Sequence, residues 1–389
     1  SLIGCSIDDL PPPGSYYDFI DRLWLRKKSV EIEKCKALYT FNRKPTARLE
    51  KNKELHNKNS GVDAKIAKFY STGRSFSKRP EKLFQEIFSL IAVVPSIELG
   101  LISNDNLTIS GDGTCVHCHS SSRGVKVCDC RDNRIYDCKC KRRFSDSDAC
   151  HGWDSYLGQW FYGHTLYAFS YHNPNLKIDL PLVMRFVGAN RHDSVSGLVT
   201  LAELRELTPQ LRVQNLCFDS ANDNYSTYEL LKLWNIRPFI DLNHDVGHKP
   251  SYPPELSITE KGVPVCIGNH EMVYNGFCKN RSRIKWRCPL KCGKVNHCSS
   301  YDSCSKSSYG RVIYTKPVWD LRLFTPVPRG SKEFKCIFKN RTSSERINNR
   351  ILNDYKLHSM KIRGKKRFSF FTMIIGINIH LDARIKAEV

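Results

Sequence analysis

The 389-residue chain predicts an α/β core that carries a β-rich insertion. Three observations predict it. Apolar runs of strand period alternate with amphipathic helical runs between 105 and 243. Residues 244–333 turn rich in Pro, Gly and Cys, with short strand-like pieces. Helical spacing then returns in a basic tail from Arg341 onward. A chain of this length exceeds one compact core, so two or three domains are expected.

The N-terminal region, 1–104, starts with Pro11 to Pro13 and "YYDFIDRLW", whose apolar spacing predicts a helix. From Thr46 to Lys82 the chain is basic and polar, the pattern of a mobile or DNA-facing connector. "EKLFQEIFSLIAVV" predicts an amphipathic helix closed by Pro95. "LTISGDGT" (107–114) reads as a strand ending on Asp112, held between two glycines. Cysteines and basic residues fill 115–150, and "GQWFYGHTLYAFSY" and "LPLVMRFVGAN" alternate like two more strands. "VTLAELRELTPQL" predicts a helix, "VQNLCFD" a strand ending on Asp219, "TYELLKLWN" a helix and "RPFIDLN" a strand. These make 105–243 the first part of the core, 244–333 the insertion and 334–389 the closing core helices. The most apolar run, Phe368 to Leu381, is broken by Asn378 and His380 and falls short of the ~18–20 residues of a bilayer crossing. It predicts a buried helix and no membrane association. The chain opens on Ser1 and shows no signal core, so a further DNA-binding part is expected ahead of it, and secretion is not.

Lys and Arg outnumber Asp and Glu by 61 to 39, a net charge of +22. That excess favours a polyanionic partner, double-stranded DNA before a membrane surface. Basic runs at Lys139 to Arg143, Arg281 to Arg287 and Lys361 to Arg367 are candidate phosphate contacts, Arg363 and Lys365 among them. Trp286 lies between arginines and is a candidate for stacking on an unpaired base. The 17 cysteines, odd in number and clustered, read as reduced cytoplasmic thiols, some of them metal ligands.

Two strands end on aspartates, Asp112 and Asp219, and functional groups collect outside strand ends in open α/β sheets, so the two can converge; Glu345 follows on a predicted helix. Three carboxylates form an oxygen cage suited to Mg²⁺ or Mn²⁺ and to in-line phosphoryl transfer. Each acid alone equally reads as a turn former, a helix cap or an ion-pair partner. Arg341, one turn before Glu345, is a phosphate contact or that ion-pair partner. In "NRHDS", His192 is a candidate contact to a phosphate or a DNA end, against a turn capped by Asp193. Asp223, four residues after Asp219, reads as a solvated charge at a helix start, against an acid that supports the site.

Cys288, Cys292, Cys298 and Cys304 are the favoured structural zinc ligands, with His297 spare; zinc would stabilise an insertion poor in apolar residues. The earlier cluster runs from Cys115, His117, Cys118 and His119 through Cys128, Cys130, Cys138 and Cys140 to Cys150 and ranks second. There, "CDC" and "CKC" would put both thiols of each pair on one face of a strand in a metal-holding hairpin.

"SGDGT", "FDSANDN", "YGRVIYTKPVWDLRLFTPVPRGSKEF" and "KNRTSSERINNRILNDYKLHSMKIRGKKR" together resemble bacterial insertion-sequence transposases of the DDE, RNase H-like class. The likeness is to the group with a β-rich insertion between the second Asp and the Glu, and it extends from "GSYYDFIDRLW" to the end. It implies an RNase H-like mixed sheet flanked by helices, with Asp112, Asp219 and Glu345 as a magnesium- or manganese-binding catalytic triad. It further implies cleavage at mobile-element ends, transfer of the 3′-hydroxyl into target DNA, a homodimer on paired ends and a nucleoid-associated location. Relatives show Tyr-x2-Arg-x3-Glu-x6-Lys around the glutamate. Here the pattern is Phe338, Arg341, Glu345 and Leu352, with Lys356 one turn further on as a substitute for the lysine. A nuclease of the same fold that does not join strands and an inactive DNA-binding derivative are the competing expectations.

Overall fold

In the computed structural model, which describes residues 12, 14–15, 32–35, 61–73, 80–243 and 251–388, the alternating runs assemble into three sheets. The helix expected at "YYDFIDRLW" lies outside the described residues. The strands are β1 (Ile32–Cys35), β2 (Leu107–His117), β3 (Val125–Lys126), β4 (Lys141–Phe144), β5 (Cys150–Asp154), β6 (Gln159–Asn173), β7 (Ile178–Gly188), β8 (Val213–Phe218), β9 (Arg237–Ile240), β10 (Val273–Cys278), β11 (Arg283–Arg287) and β12 (Val312–Thr315). The helices used below are α1 (Val62–Ser71), α2 (Pro80–Phe88), α3 (Val94–Glu98), α4 (Asp193–Leu207), α5 (Tyr225–Leu233), α6 (Tyr301–Cys304), α7 (Lys332–Phe338), α8 (Thr342–Asn349) and α9 (Lys365–Glu388).

The central sheet is mixed. β6 pairs antiparallel with β2 on one side and with β7 and the short β5 on the other. β2 then pairs parallel with β8, and β8 with β9. Parallel neighbours need crossovers, and α4 and α5 supply them. Helices cover both faces, so β6 is an almost unbroken buried run. On one face lie α4 and the ring of Tyr167. On the other lie α2, α8 and α9, where Gly376 of α9 brings the helix against Met184 and Phe88.

Asp112 does not end its strand. β2 continues for five further residues, to His117, because β6 is long enough to pair with all of it. Pro95 does not close its helix either. α2 passes through a π-helical turn, Ser89–Val93, into α3. The wider turn accommodates the ring, and Ile91 O, four residues before the proline, accepts Arg384 Nη2 at 3.0 Å.

Residues 80–102, assigned above to the N-terminal region, belong to the core. Phe84, Phe88, Ala92 and Val93 share one cluster with Ile109, Phe169, Met184, Phe218, Ile347, Phe368 and Ile379. Part of the expected connector is likewise folded: α1 buries Ile66 against Leu198, Ala202 and Leu230, and Tyr70 donates to Ala202 O at 2.8 Å.

The insertion has its own core. β10, β11 and β12 form an antiparallel meander over Val263, Met272, Ile284, Trp286, Ile313, Leu323 and Phe324. α9 is longer than the run Phe368 to Leu381 and, among the described residues, is the one helix long and apolar enough to cross a membrane by length and composition. Here Phe368, Phe370, Met373, Ile375, Ile379 and Ala383 pack into the main core. His380 is held between Ser96 Oγ and Pro181 O, each at 2.8 Å, and burial lowers its pKa to about 4.

Candidate active site

Strand alternation puts Asp112 on the same face as Ser110, opposite Ala168 and Ser170 of β6. The glycines around it are required by close approach. A Cβ on Gly111 would lie 2.5 Å from the Phe169 ring and 2.6 Å from that of Phe218. One on Gly113 would lie 2.8 Å from Asp193 Oδ1. The first glycine admits aromatic packing beneath the aspartate, and the second admits another carboxylate.

α8 docks on this face through its serines. Ser343 Oγ donates to Ser170 Oγ at 2.9 Å, Ser344 N to Ser110 Oγ at 3.2 Å, and Ser110 and Ser170 bond each other at 3.0 Å. That seat carries Glu345 to the site, and one turn later Asn348 Nδ2 donates to Asp112 Oδ2 at 3.3 Å. Asp219 follows the last residue of β8, next to β2, and its Oδ1 accepts Asn222 Nδ2 at 2.8 Å.

The carboxylates feel one another. Burial, then the like charges of Asp219, Asp193 and Glu345, push the Asp112 pKa up to about 7 against the opposing Gly113 N–H. Burial and Asp219 raise Asp193, with His192 opposing. The buried Tyr167 phenol is pushed well up by burial and by Asp112, Asp219 and Asp193. Four acids thus share one neighbourhood. Their oxygens are hard donors fitted to a divalent cation, which would relieve this crowding. They stand further apart than a closed ligand set: no three of them have oxygens all within 4.8 Å of one another.

In "NRHDS" the sequence offered His192 as the contact, against a turn capped by Asp193. It is Asp193 that reaches the acids. His192 is exposed and caps α4, its Nδ1 accepting from Ser194 N at 3.3 Å and pairing with Ser194 Oγ at 2.8 Å. Asn222, Asn348 and Tyr167 were also missed; "FDSAN" held Asn222 within one turn of the acid it touches, whereas Asn348, one turn after Glu345 in "SERINN", touches the remote Asp112. Arg341 Nη2 is paired with Glu345 Oε1 at 2.7 Å, the ion-pair reading.

Several expected roles fail on geometry. Trp286 is buried, because β11 alternates Ile284 and Trp286 inward with Arg283, Lys285 and Arg287 outward; its Nε1 donates to Thr315 Oγ1 at 3.0 Å. It cannot stack on a base. Lys356 is not on the Glu345 helix face: the helical run ends at Asp354, and Lys356 has φ +56°. Asp223 is not solvated. It is buried against Arg322 Nη2 at 2.5 Å and accepts from Tyr228 Oη at 2.7 Å and Asn243 N at 2.8 Å. Arg363 and Lys365 are not among these failures: Arg363 is exposed, and at Lys365 it is the backbone N, not the side chain, that donates to Asp148 Oδ2 at 3.2 Å. Phe338 stacks on Phe334, and Leu352 packs against the main core.

The thiols divide differently from expectation. Cys288, Cys298 and Cys304 line one cavity with Cys266 and His270, and Cys292 is outside it. The four thiols of Cys128, Cys130, Cys138 and Cys140 lie within 4.8 Å of one another, close enough to hold a metal ion such as zinc. They lie outside any strand, on either side of a turn, not in the expected strands.

No protein-family model matches the chain, and no curated protein matches it.

Proposed function

We propose that this protein is a DDE transposase with an RNase H-like core, cutting DNA at mobile-element ends and joining the 3′-hydroxyl to target DNA. The observation that carries this reading is the meeting of Asp112, Asp219 and Glu345. They come from two adjacent parallel strands and a helix seated across them. The sheet order β7–β6–β2–β8–β9, antiparallel and then parallel, supports the RNase H-like assignment.

Asp112, Asp219 and Glu345 would hold Mg²⁺ or Mn²⁺, with Asp193 beside them. Bound there, the ions activate a water or 3′-hydroxyl and stabilise the leaving oxygen. The chain's own residues do the positioning. Asn348 and Asn222 fix one oxygen each of Asp112 and Asp219. Arg341, poised on Glu345, can turn to a phosphate once that carboxylate is neutralised. The net charge of +22 and the exposed Arg363 supply sequence-independent affinity for duplex DNA. Aromatic stacking falls to the β5–β6 hairpin, where Trp153, Tyr156 and Trp160 are exposed. A homodimer on paired ends and a nucleoid location belong to the same proposal.

The test is a labelled duplex carrying the element's own end, incubated with protein and Mg²⁺ or Mn²⁺. Wild type is expected to nick at the end and to join the 3′-hydroxyl to a second duplex. Asp219→Ala should lose more than about 100-fold, beyond what a supporting residue of a metal site costs. Nicking without joining would leave a nuclease; binding without cleavage by either protein would leave an inactive DNA-binding derivative.

A further inference from the structure

We propose that Cys128, Cys130, Cys138 and Cys140 bind one zinc ion as a closed, structural tetrathiolate site that folds the segment between β3 and β4. The geometry is that of a coordination shell. Cys128 Sγ and Cys138 Sγ are 3.6 Å apart, Cys130 Sγ and Cys140 Sγ are 3.5 Å apart, and all four lie within 4.8 Å of one another. Zinc–sulfur bonds of about 2.3 Å in a tetrahedron give sulfur–sulfur edges of about 3.8 Å. A disulfide needs about 2.05 Å, so these pairs are spaced as ligands and not as bonded sulfurs. Four sulfurs with no carboxylate in the set favour zinc over magnesium or calcium.

The segment needs such a staple. Residues 127–140 contain no strand or helix, and Cys138 is their one buried side chain. Ile135 and Tyr136, its larger apolar groups, are 53% and 68% exposed. A stretch that buries so little cannot offset its ordering entropy by packing. Its chain path is nonetheless defined by a tight reversal between the cysteine pairs: Asn133 N donates to Asp129 O at 3.1 Å, Arg134 N to Arg131 O at 3.0 Å, and Ile135 N to Cys130 O at 2.7 Å. Arg134 takes φ +57° within it. That turn brings Cys138 and Cys140 back onto Cys128 and Cys130. Binding converts up to four thiols to thiolates and releases their protons.

The site also has an address. Downstream of it, Asp146 Oδ2 accepts from Gly364 N at 2.8 Å and Cys118 Sγ at 3.1 Å; upstream, His119 Nε2 bonds His358 O at 3.3 Å. The segment is therefore bolted to the start of α9, and zinc would hold the run Lys139 to Arg143 beside Lys361 to Arg367. The metal assignment does not depend on the DNA-cutting proposal.

The experiment measures zinc in full-length protein purified under reducing conditions, for wild type, Cys130→Ser/Cys140→Ser, Cys128→His and, as a control, Cys292→Ser. The double variant is expected to lose about one zinc per chain relative to wild type, and Cys292→Ser to lose none. Cys128→His keeps a ligand, so it should retain zinc and shift the visible bands of the Co²⁺-substituted protein from an S₄ towards an S₃N pattern. That shift is read on a protein that keeps its metal, so it decides the matter even if the double variant fails to fold. Equal zinc in wild type and double variant, an unshifted Co²⁺ spectrum in Cys128→His, or Cys128–Cys138 and Cys130–Cys140 disulfides in the reduced preparation would each overturn the proposal.

Discussion

The acid cluster and the thiol cluster each gather four metal-type ligands, and they are built in opposite ways. The acids come from both ends of the core, on β2, after β8 and on α4 and α8, and each is seated on packed structure that exists without a cation. The thiols come from one short segment, 128–140, that holds no strand or helix and buries only the Cys138 side chain. A site whose scaffold is already paid for by burial can hold crowded charges and keep them reactive; a site with no scaffold must take its order from the ligand itself. On the proposed reading, the first would exchange metal during chemistry. The second should close around it.

That contrast is broken most severely by removing a support of the acid site that owes nothing to metal. The Asp223–Arg322 pair is buried and ties the end of β8 to the end of the insertion. Burial alone would lower the Arg322 pKa, but the hydrogen bond and charge of Asp223 raise it instead. Asp223→Ala strands a buried guanidinium, so urea unfolding should show a loss of about 3–5 kcal/mol. Added zinc or magnesium should not restore it. Rescue by either ion would mean that the core leans on metal as the thiol segment does.

How far the sequence discloses each region follows from the range of the interactions. Asp112 and Asp219 were legible because strand-period runs precede them. The extent of β2 was not: a glycine-bracketed aspartate resembles a turn, and the reason for those glycines, the Phe169 and Phe218 rings and Asp193, lies on other elements. Asp223 looked solvated because Arg322 is remote in the chain. Trp286 looked like a stacking residue because its arginine neighbours masked a period of two. The thiol grouping was half visible. The C-x-C pairs are plain in the sequence, but a strand hairpin was expected where a turn closes the set. In the later cluster, Cys266 and His270 lie too far upstream for spacing to link them to Cys288.

A smaller effect separates the two residues of "NRHDS". Asp193→Asn removes the charge that faces Gly113 and Asp112, and cleavage should fall about 10–100-fold, as for a supporting group of a metal site. His192→Ala removes only a helix cap, costing about 1 kcal/mol of stability and leaving cleavage near wild type. Single-turnover nicking rates measure both. The reverse ranking would return the catalytic contact to His192 and make Asp193 a cap.

The mildest probe is proton against metal at the acid site. Folded Asp112 holds its proton up to about pH 7, because of burial and then its acidic neighbours, while the unfolded chain releases it near 3.8. Between these values the folded state binds more protons, so stability falls as pH rises from about 4 through 7 and levels off above. Thermal unfolding should therefore show Tm a few degrees lower at pH 8 than at pH 5, the scale of about 2–3 kcal/mol for the roughly two pH units over which the folded state holds the extra proton. Asp112→Asn should flatten much of that slope and exceed wild type in Tm at pH 8. Mg²⁺ should raise the wild-type Tm at pH 8, do little at pH 5 where the proton already occupies Asp112, and do less for the variant. An equal slope in both proteins would place the strain elsewhere in the acid cluster. A Mg²⁺ effect independent of pH would remove the competition between proton and cation on which the site's readiness for metal rests.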